Sequence, residues 1–186
     1  MSSIDGRPDI LLVSGKYFDY LHPENNEYTI FDIAHHLSML CRFAGAVLKF
    51  FSVAQHSFIV SRLCPPELAL PGLLHDMAEM ALVDLPRPLK YICPDYRRIE
   101  ERVEFPMFRK FGLSYPMDPE VKKADRMALW IEQRDLMPIH QDHWTGFEEL
   151  DLEAIQRHPT IVPLGPEDAR DLFIGEYNRL TNGSLG

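Results

Sequence analysis

The sequence predicts an all-α protein, a compact helical bundle behind a short irregular N-terminal segment. Three observations carry that reading. Apolar residues recur at helical spacing in successive blocks between about residues 30 and 182. Capping residues, prolines and glycines punctuate those blocks where helices should begin and end. No set of runs alternates apolar and polar residues as a sheet requires. At 186 residues the chain is expected to form one domain, 1–186, with its motif-bearing core at about 30–137.

Taken in order, Ile10-Leu11-Leu12-Val13 and Tyr17-Phe18-Asp19-Tyr20 flank Gly15 and predict a short hairpin. Residues 23–28 read as a loop. Ile33, Leu37, Leu40 and Ala44 form one stripe, which predicts a helix from Ile30 with a stop at Gly45. A second helix is expected from Ser52, carrying Val53, His56, Ile59, Val60 and Leu63, and ending at Pro65-Pro66. A third should hold Leu70 to about Leu82, with Pro71 tolerated in its first turn. The prolines of Asp84-Leu85-Pro86-Arg87-Pro88-Leu89-Lys90 predict a rigid loop. Asp95 reads as the N-cap of a helix reaching Gly112 and kinked at Pro106. Asp118-Pro119-Glu120 gives a cap, a proline at the first helical position and an acid in the first turn, for a helix to about Met137. Residues 138–165 read as irregular, and the last helix spans Pro166 to just before Gly183.

A net charge of −9 argues against broad binding to nucleic acids or anionic membranes. Phosphates remain accessible to such a protein where metals and a few cations reverse the local field. Cys41, Cys64 and Cys93 are odd in number and form no CxxC pair, so neither a zinc-thiolate site nor a disulfide framework is indicated. Reduced thiols, the lack of a secretory leader pattern and the lack of a bilayer-length apolar run predict a cytoplasmic protein. A homo-oligomer is expected.

The segment Leu73-Leu74-His75-Asp76-Met77-Ala78-Glu79 carries the chemistry. A buried carboxylate costs several kcal/mol unless paired or metal-bound, so an adjacent His-Asp pair in an apolar setting needs a reason. As ligands the two offer one imidazole nitrogen and one carboxylate oxygen to a single cation. His56, on an apolar helix face, and Asp125, on a later helix, are the candidates that complete the set. A lone His in such a place is more often a core residue and a lone Asp an exposed one; the combination is what points to a metal. Two imidazoles and two carboxylates without a thiolate suit Mn, Fe, Co, Ni or Zn. Glu79 shares a helix face with Asp76 and is a candidate general base or second-cation ligand. Asp84 is the other acid–base candidate. His35-His36 read as ordinary helix residues, and His140, His143 and Trp144 as surface loop.

The order His56…His75-Asp76…Asp125 resembles the H…HD…D signature of the HD-domain superfamily of metal-dependent phosphohydrolases. His75 to Lys90, with Glu79 and the Asp84-x-Pro86-x-Pro88-x-Lys90 turn, resembles the matching region of bacterial HD-type 5′-deoxynucleotidases. Arg42-Phe43 is similar to an Arg-Trp pair of that group, with Phe in place of Trp and about one residue less before the His. Small phage-type HD proteins, dATP triphosphohydrolases among them, are also similar. The resemblance covers about residues 30–137. It implies a divalent transition metal (Zn, Co or Mn, one ion or more) on His56, His75, Asp76 and Asp125, with Glu79 and Asp84 in catalysis. It further implies phosphate contacts from Arg42, Lys90 and Lys122, the last adjacent to Lys123, and a place for Phe43 beside the sugar that favours deoxyribose.

The expected activity is hydrolysis of a deoxynucleotide phosphate. The sequence leans to a dNTP triphosphohydrolase, dATP being the candidate, because of Lys90 with Lys122 and Lys123. A 5′-deoxynucleotidase acting on dNMP is the alternative. A non-catalytic nucleotide sensor has no need of Glu79, and a purely structural bundle leaves His75-Asp76 unexplained.

Overall fold

The computed structural model describes residues 7–139, 150 and 152–182. Among the described residues the fold is all-α apart from one small hairpin, β1 (Asp9–Leu11) and β2 (Tyr17–Asp19), paired antiparallel with Asp9 opposite Asp19. Gly15 turns it at φ +82, in the left-handed region that glycine enters freely.

Helix α1 (Ile30–Met39) starts on a capping box: Thr29 Oγ1 accepts from the Asp32 amide, and the Thr29 amide donates to Asp32. The other Asp32 oxygen accepts from the Ser14 amide, which ties the hairpin to the helix. The predicted stripe through Leu40 and Ala44 does not continue as helix, because α1 ends at Met39. Leu40 is extended, Leu40 O accepts from the Val53 amide, and Cys41 pairs with Ser52. Backbone pairing with the approach to the next helix replaces another helical turn, and Phe43, Ala44 and Gly45 reverse the chain at positive φ.

Helix α2 (Val53–Leu63) is capped by Ser52 and is buried on nearly every side. It packs against α1, α3 (Ala69–Leu74), α7 (Pro119–Leu136) and α9 (Pro166–Asn182). Val53 and Ala54 enter one core with Leu37, Leu74, Met77, Phe108 and Phe173, while Ile59 and Val60 enter a second with Val121, Ala128 and Ile131. Gln55 is satisfied by the later chain, donating to Val162 O and accepting from the Leu164 amide.

The helix expected over 70–82 is broken. α3 stops at Leu74, residues 75–78 are turns, and α4 (Glu79–Leu82) is a single turn. Met77, Glu79 and Met80 amides donate three residues back, to Leu74, Asp76 and Met77. That tighter winding eclipses side chains at i and i+3, which stacks Glu79 over Asp76. The loop expected over 84–90 contains a short helix, α5 (Arg87–Ile92); Pro88 is accommodated because first-turn amides need no helical partner. α6 (Pro94–Lys110) starts after Cys93, with Pro94 at its first position and Asp95 as a first-turn acid rather than the cap; Pro106 lies inside it. α7 begins at the Asp118 cap as read. The irregular stretch contains α8 (Leu152–Arg157), which packs on α7. Among the described residues no helix is long and apolar enough to cross a membrane.

Candidate metal centre and active site

Helix α2, the turn after α3 and helix α7 bring four side chains to one point. His56 Nε2 lies 3.2 Å from His75 Nε2, 3.3 Å from Asp125 Oδ1 and 3.5 Å from Asp76 Oδ2. His75 Nε2 lies 3.1 Å from Asp76 Oδ2 and 3.9 Å from Asp125 Oδ1. Ligands about 2.0–2.2 Å from one cation stand roughly 3.0–3.5 Å apart; four of these separations match one shared ion, and His75–Asp125 at 3.9 Å is slightly wider. Within 4.8 Å of one another, the His56, His75 and Asp125 donors alone form a metal-capable group.

The outer nitrogens fix how both imidazoles face. His75 Nδ1 lies 2.8 Å from Gly72 O, a pure acceptor, so Nδ1 carries the hydrogen and Nε2 turns its lone pair inward. His56 Nδ1 lies 2.5 Å from Glu132 Oε1, with the same result. Two nitrogen lone pairs facing each other at 3.2 Å repel unless a cation sits between them. Proton affinities show the same demand. Burial and the Arg42 charge push His56 down, yet Glu132 and Asp125 outweigh them and raise its pKa to about 10. Burial pushes Asp125 up, and the two imidazoles overcome it and hold it down at about 2. Asp76 is likewise depressed, by His75, His56 and Arg42 against its burial. The donor set therefore fits a divalent transition metal.

Glu132 was not singled out from the sequence. It is fully buried, and its second oxygen accepts from Arg42 Nε at 3.1 Å. Its position seven residues after Asp125, on the same face of α7, is the signal that could have found it. Arg42 is itself buried, and its Nη1 reaches Asp76 Oδ2 at 3.6 Å.

Glu79 is buried and its Oε2 has no hydrogen-bond partner among the described residues. Burial, reinforced by the charges of Asp76 and Asp84, raises its pKa well above the carboxylate range. Lys90 opposes that shift from 3.7 Å and is held on its far side by Glu100 at 2.6 Å. Asp84, half-buried after α4, acts on both Arg42 and Glu79 through its charge.

The remaining predicted residues are more dispersed. Phe43 is half-buried at φ 57, with the Arg42 guanidinium 5.3 Å from its ring centre. Lys122 is exposed on α7 one turn before Asp125, and Lys123 pairs with Glu120 at 3.7 Å. His36 Nε2 accepts from the Val13 amide, and His35 stacks on Phe31; neither joins the cluster. His140, His143 and Trp144 lie outside the described residues. The three cysteines are free. A groove of about 960 Å³ between α6 and the loop after β2 contains none of these side chains, so donor chemistry rather than volume locates the site.

No family model matches the chain. It is 38% identical over 168 residues to the uncharacterized protein YfdR of Escherichia coli K12, covering 90% of this chain and 93% of that protein. An uncharacterized protein of Rhodobacter capsulatus is 29% identical over 161 residues, 81% of this chain and 80% of its own length. A 5′-deoxynucleotidase of Vibrio cholerae is 28% identical over 114 residues, half of this chain and 59% of the enzyme.

Proposed function

The chain belongs to the family of Escherichia coli YfdR, and on that premise we propose that it is an HD-type, metal-dependent phosphohydrolase acting on deoxynucleotides. The observation that carries the reading is the convergence of His56, His75, Asp76 and Asp125 on one point, beside a buried Arg and the buried Glu79, whose Oε2 has no hydrogen-bond partner among the described residues. Its partial likeness to a 5′-deoxynucleotidase supports the nucleotide as substrate class.

A divalent transition metal (Zn, Co or Mn) held by those four residues supplies Lewis acidity and lowers the pKa of water when bound. The protein's own groups do the rest. Arg42, fixed by Glu132 through Nε, keeps its Nη edge for a phosphoryl oxygen. Glu79, its proton affinity moved up by burial, suits proton transfer to and from the reacting groups. It takes a proton from the attacking water as the water oxygen bonds to phosphorus. It returns that proton to the leaving oxygen as the P–O bond to the nucleoside breaks. Phe43 lies beside Arg42, where a sugar attached to the bound phosphate would lie, and Asp84 assists from the rim.

The monophosphate is the leading substrate. Lys90, one of the cations on which the triphosphate reading rests, is already engaged by Glu79 and Glu100. The triphosphate reading keeps the support of Lys122, exposed one turn before Asp125. To separate them, the chain loaded with Mn, Co or Zn in turn is incubated with every NMP, dNMP, NTP and dNTP, and the phosphorus product is identified. Inorganic phosphate from a dNMP is the expected result, and triphosphate from a dNTP selects the other subtype. No turnover with any metal overturns both.

A further inference from the structure

We infer that Glu132 is a positioning residue through which one carboxylate sets both the metal-facing nitrogen of His56 and the phosphate-facing edge of Arg42. The inference deepens the phosphohydrolase reading and rests on it for the role of Arg42.

The geometry is specific. Glu132 spends its two oxygens on different partners, Oε1 on His56 Nδ1 at 2.5 Å and Oε2 on Arg42 Nε at 3.1 Å. All three side chains are buried, with Glu132 and His56 at 0% exposure. A carboxylate accepts only, so it fixes the His56 hydrogen on Nδ1 and leaves the Nε2 lone pair for the metal. The same carboxylate takes the Nε–H of Arg42, whose Nη1 then stands 3.6 Å from Asp76 Oδ2 in the cluster. Arg42 immediately precedes the positive-φ reversal at Phe43 and Ala44, on a segment that shares no helix with any proposed metal ligand. Glu132 is its buried tether to the helix that carries Asp125. A metal-first view treats Glu132 as a support for His56 alone. The second bond makes it a clamp between metal capture and phosphate recognition.

Glu132→Gln keeps the shape and removes the acceptor-only character. The amide then donates with its nitrogen and accepts with its oxygen, so it can serve His56 Nδ1 as acceptor or Arg42 Nε as acceptor, but not both. The test uses the metal-stripped full chain and two probes that need no turnover: Co²⁺ by calorimetry, then inorganic phosphate titrated into the Co²⁺-saturated protein. Glu132→Gln is expected to weaken Co²⁺ by roughly 10–100-fold, the usual cost of losing an outer partner of a metal-bound His, and to weaken phosphate as well. Arg42→Met is expected to weaken phosphate without weakening Co²⁺, because it removes a positive charge from beside Asp76. In the double variant, Arg42→Met should add less than about twofold to the phosphate loss, since coupled partners do not add. Unchanged Co²⁺ affinity in Glu132→Gln, or phosphate losses that multiply in full, overturns the clamp. Should Glu132→Gln fail to fold, Glu132→Asp carries the test. It keeps the charge but withdraws it by one methylene, and losses in the same direction are expected; binding equal to the parent chain overturns the inference. If the clamp pattern appears and the parent chain turns over no nucleotide, the phosphohydrolase reading alone falls.

Discussion

The ammonium of Lys90 stands 3.7 Å from Oε1 of Glu79, so the candidate base works beside a fixed positive charge. Burial drives the Glu79 carboxyl toward its protonated form, and Lys90 opposes it. Removing the lysine therefore raises the proton affinity of Glu79 further. If Glu79 acts unprotonated, Lys90→Met moves the acid limb of the kcat/KM profile to higher pH. A profile that stays in place separates Lys90 from the base.

Glu79→Gln keeps the shape of a side chain that ligates nothing in the four-residue cluster. Metal affinity is expected to persist while kcat falls by roughly 10²–10⁴, the usual contribution of a positioned acid–base group. Isothermal titration with Co²⁺ and initial rates on the same preparation check both halves.

The metal donors come from three separate elements, so a cation binds the folded chain far better than the unfolded one. At a concentration one hundred times Kd, such binding adds about 2.7 kcal/mol. For a chain of this size that corresponds to roughly 5–10 °C in Tm. Scanning calorimetry with Zn, Co or Mn should show the rise, and Asp76→Ala should abolish it together with turnover. A Tm indifferent to all three metals removes the centre.

At Gly72 a Cβ would meet Cys64 Sγ at 2.7 Å and the Ser61 Cα at 3.2 Å. The second neighbour is backbone of α2, so α2 and α3 must separate to admit a methyl. Gly72→Ala is expected to cost about 1–3 kcal/mol, the range for overpacking. Because Gly72 O also holds His75 Nδ1, Co²⁺ affinity should fall with stability. Urea unfolding and calorimetry read the two effects.

Burial and the neighbouring Glu100 raise Glu104 to about 7, against an ordinary 4.5. Between those values the folded chain holds a proton that the unfolded chain has released. Stability therefore falls as pH rises across that window, by an order of 1–3 kcal/mol in total. Glu104→Gln should flatten that part of the stability–pH curve. An unaltered slope assigns it to other groups.

Local signals were legible wherever a few neighbouring residues decide the outcome. Asp118 caps its helix as read, the second helix starts at Ser52, and the Gly15 hairpin forms. Errors arose where distant backbone competed with periodicity. The stripe from Ile33 to Ala44 is genuine to Leu37, but pairing of Leu40 and Cys41 with Ser52 and Val53 ends the helix early. Prolines that argued for a loop at 86–88 instead start α5. The four metal candidates carry unusual composition and stood out. Glu132 looked like any helical carboxylate, because what sets it apart is burial against His56 and Arg42, partners 76 and 90 residues away.

Helix α7 carries Asp125 and Glu132 two turns apart, one oxygen facing the inner nitrogen of His56 and one its outer nitrogen. The helix thus works as a ruler laid along a single imidazole. Each residue turns a helix by about 100°. Between these two positions, changes of composition are forgivable and changes of length are not: one inserted residue would swing Glu132 out of reach while leaving every side chain present. Permitted insertions and deletions in this chain should therefore stop at the edges of that seven-residue interval.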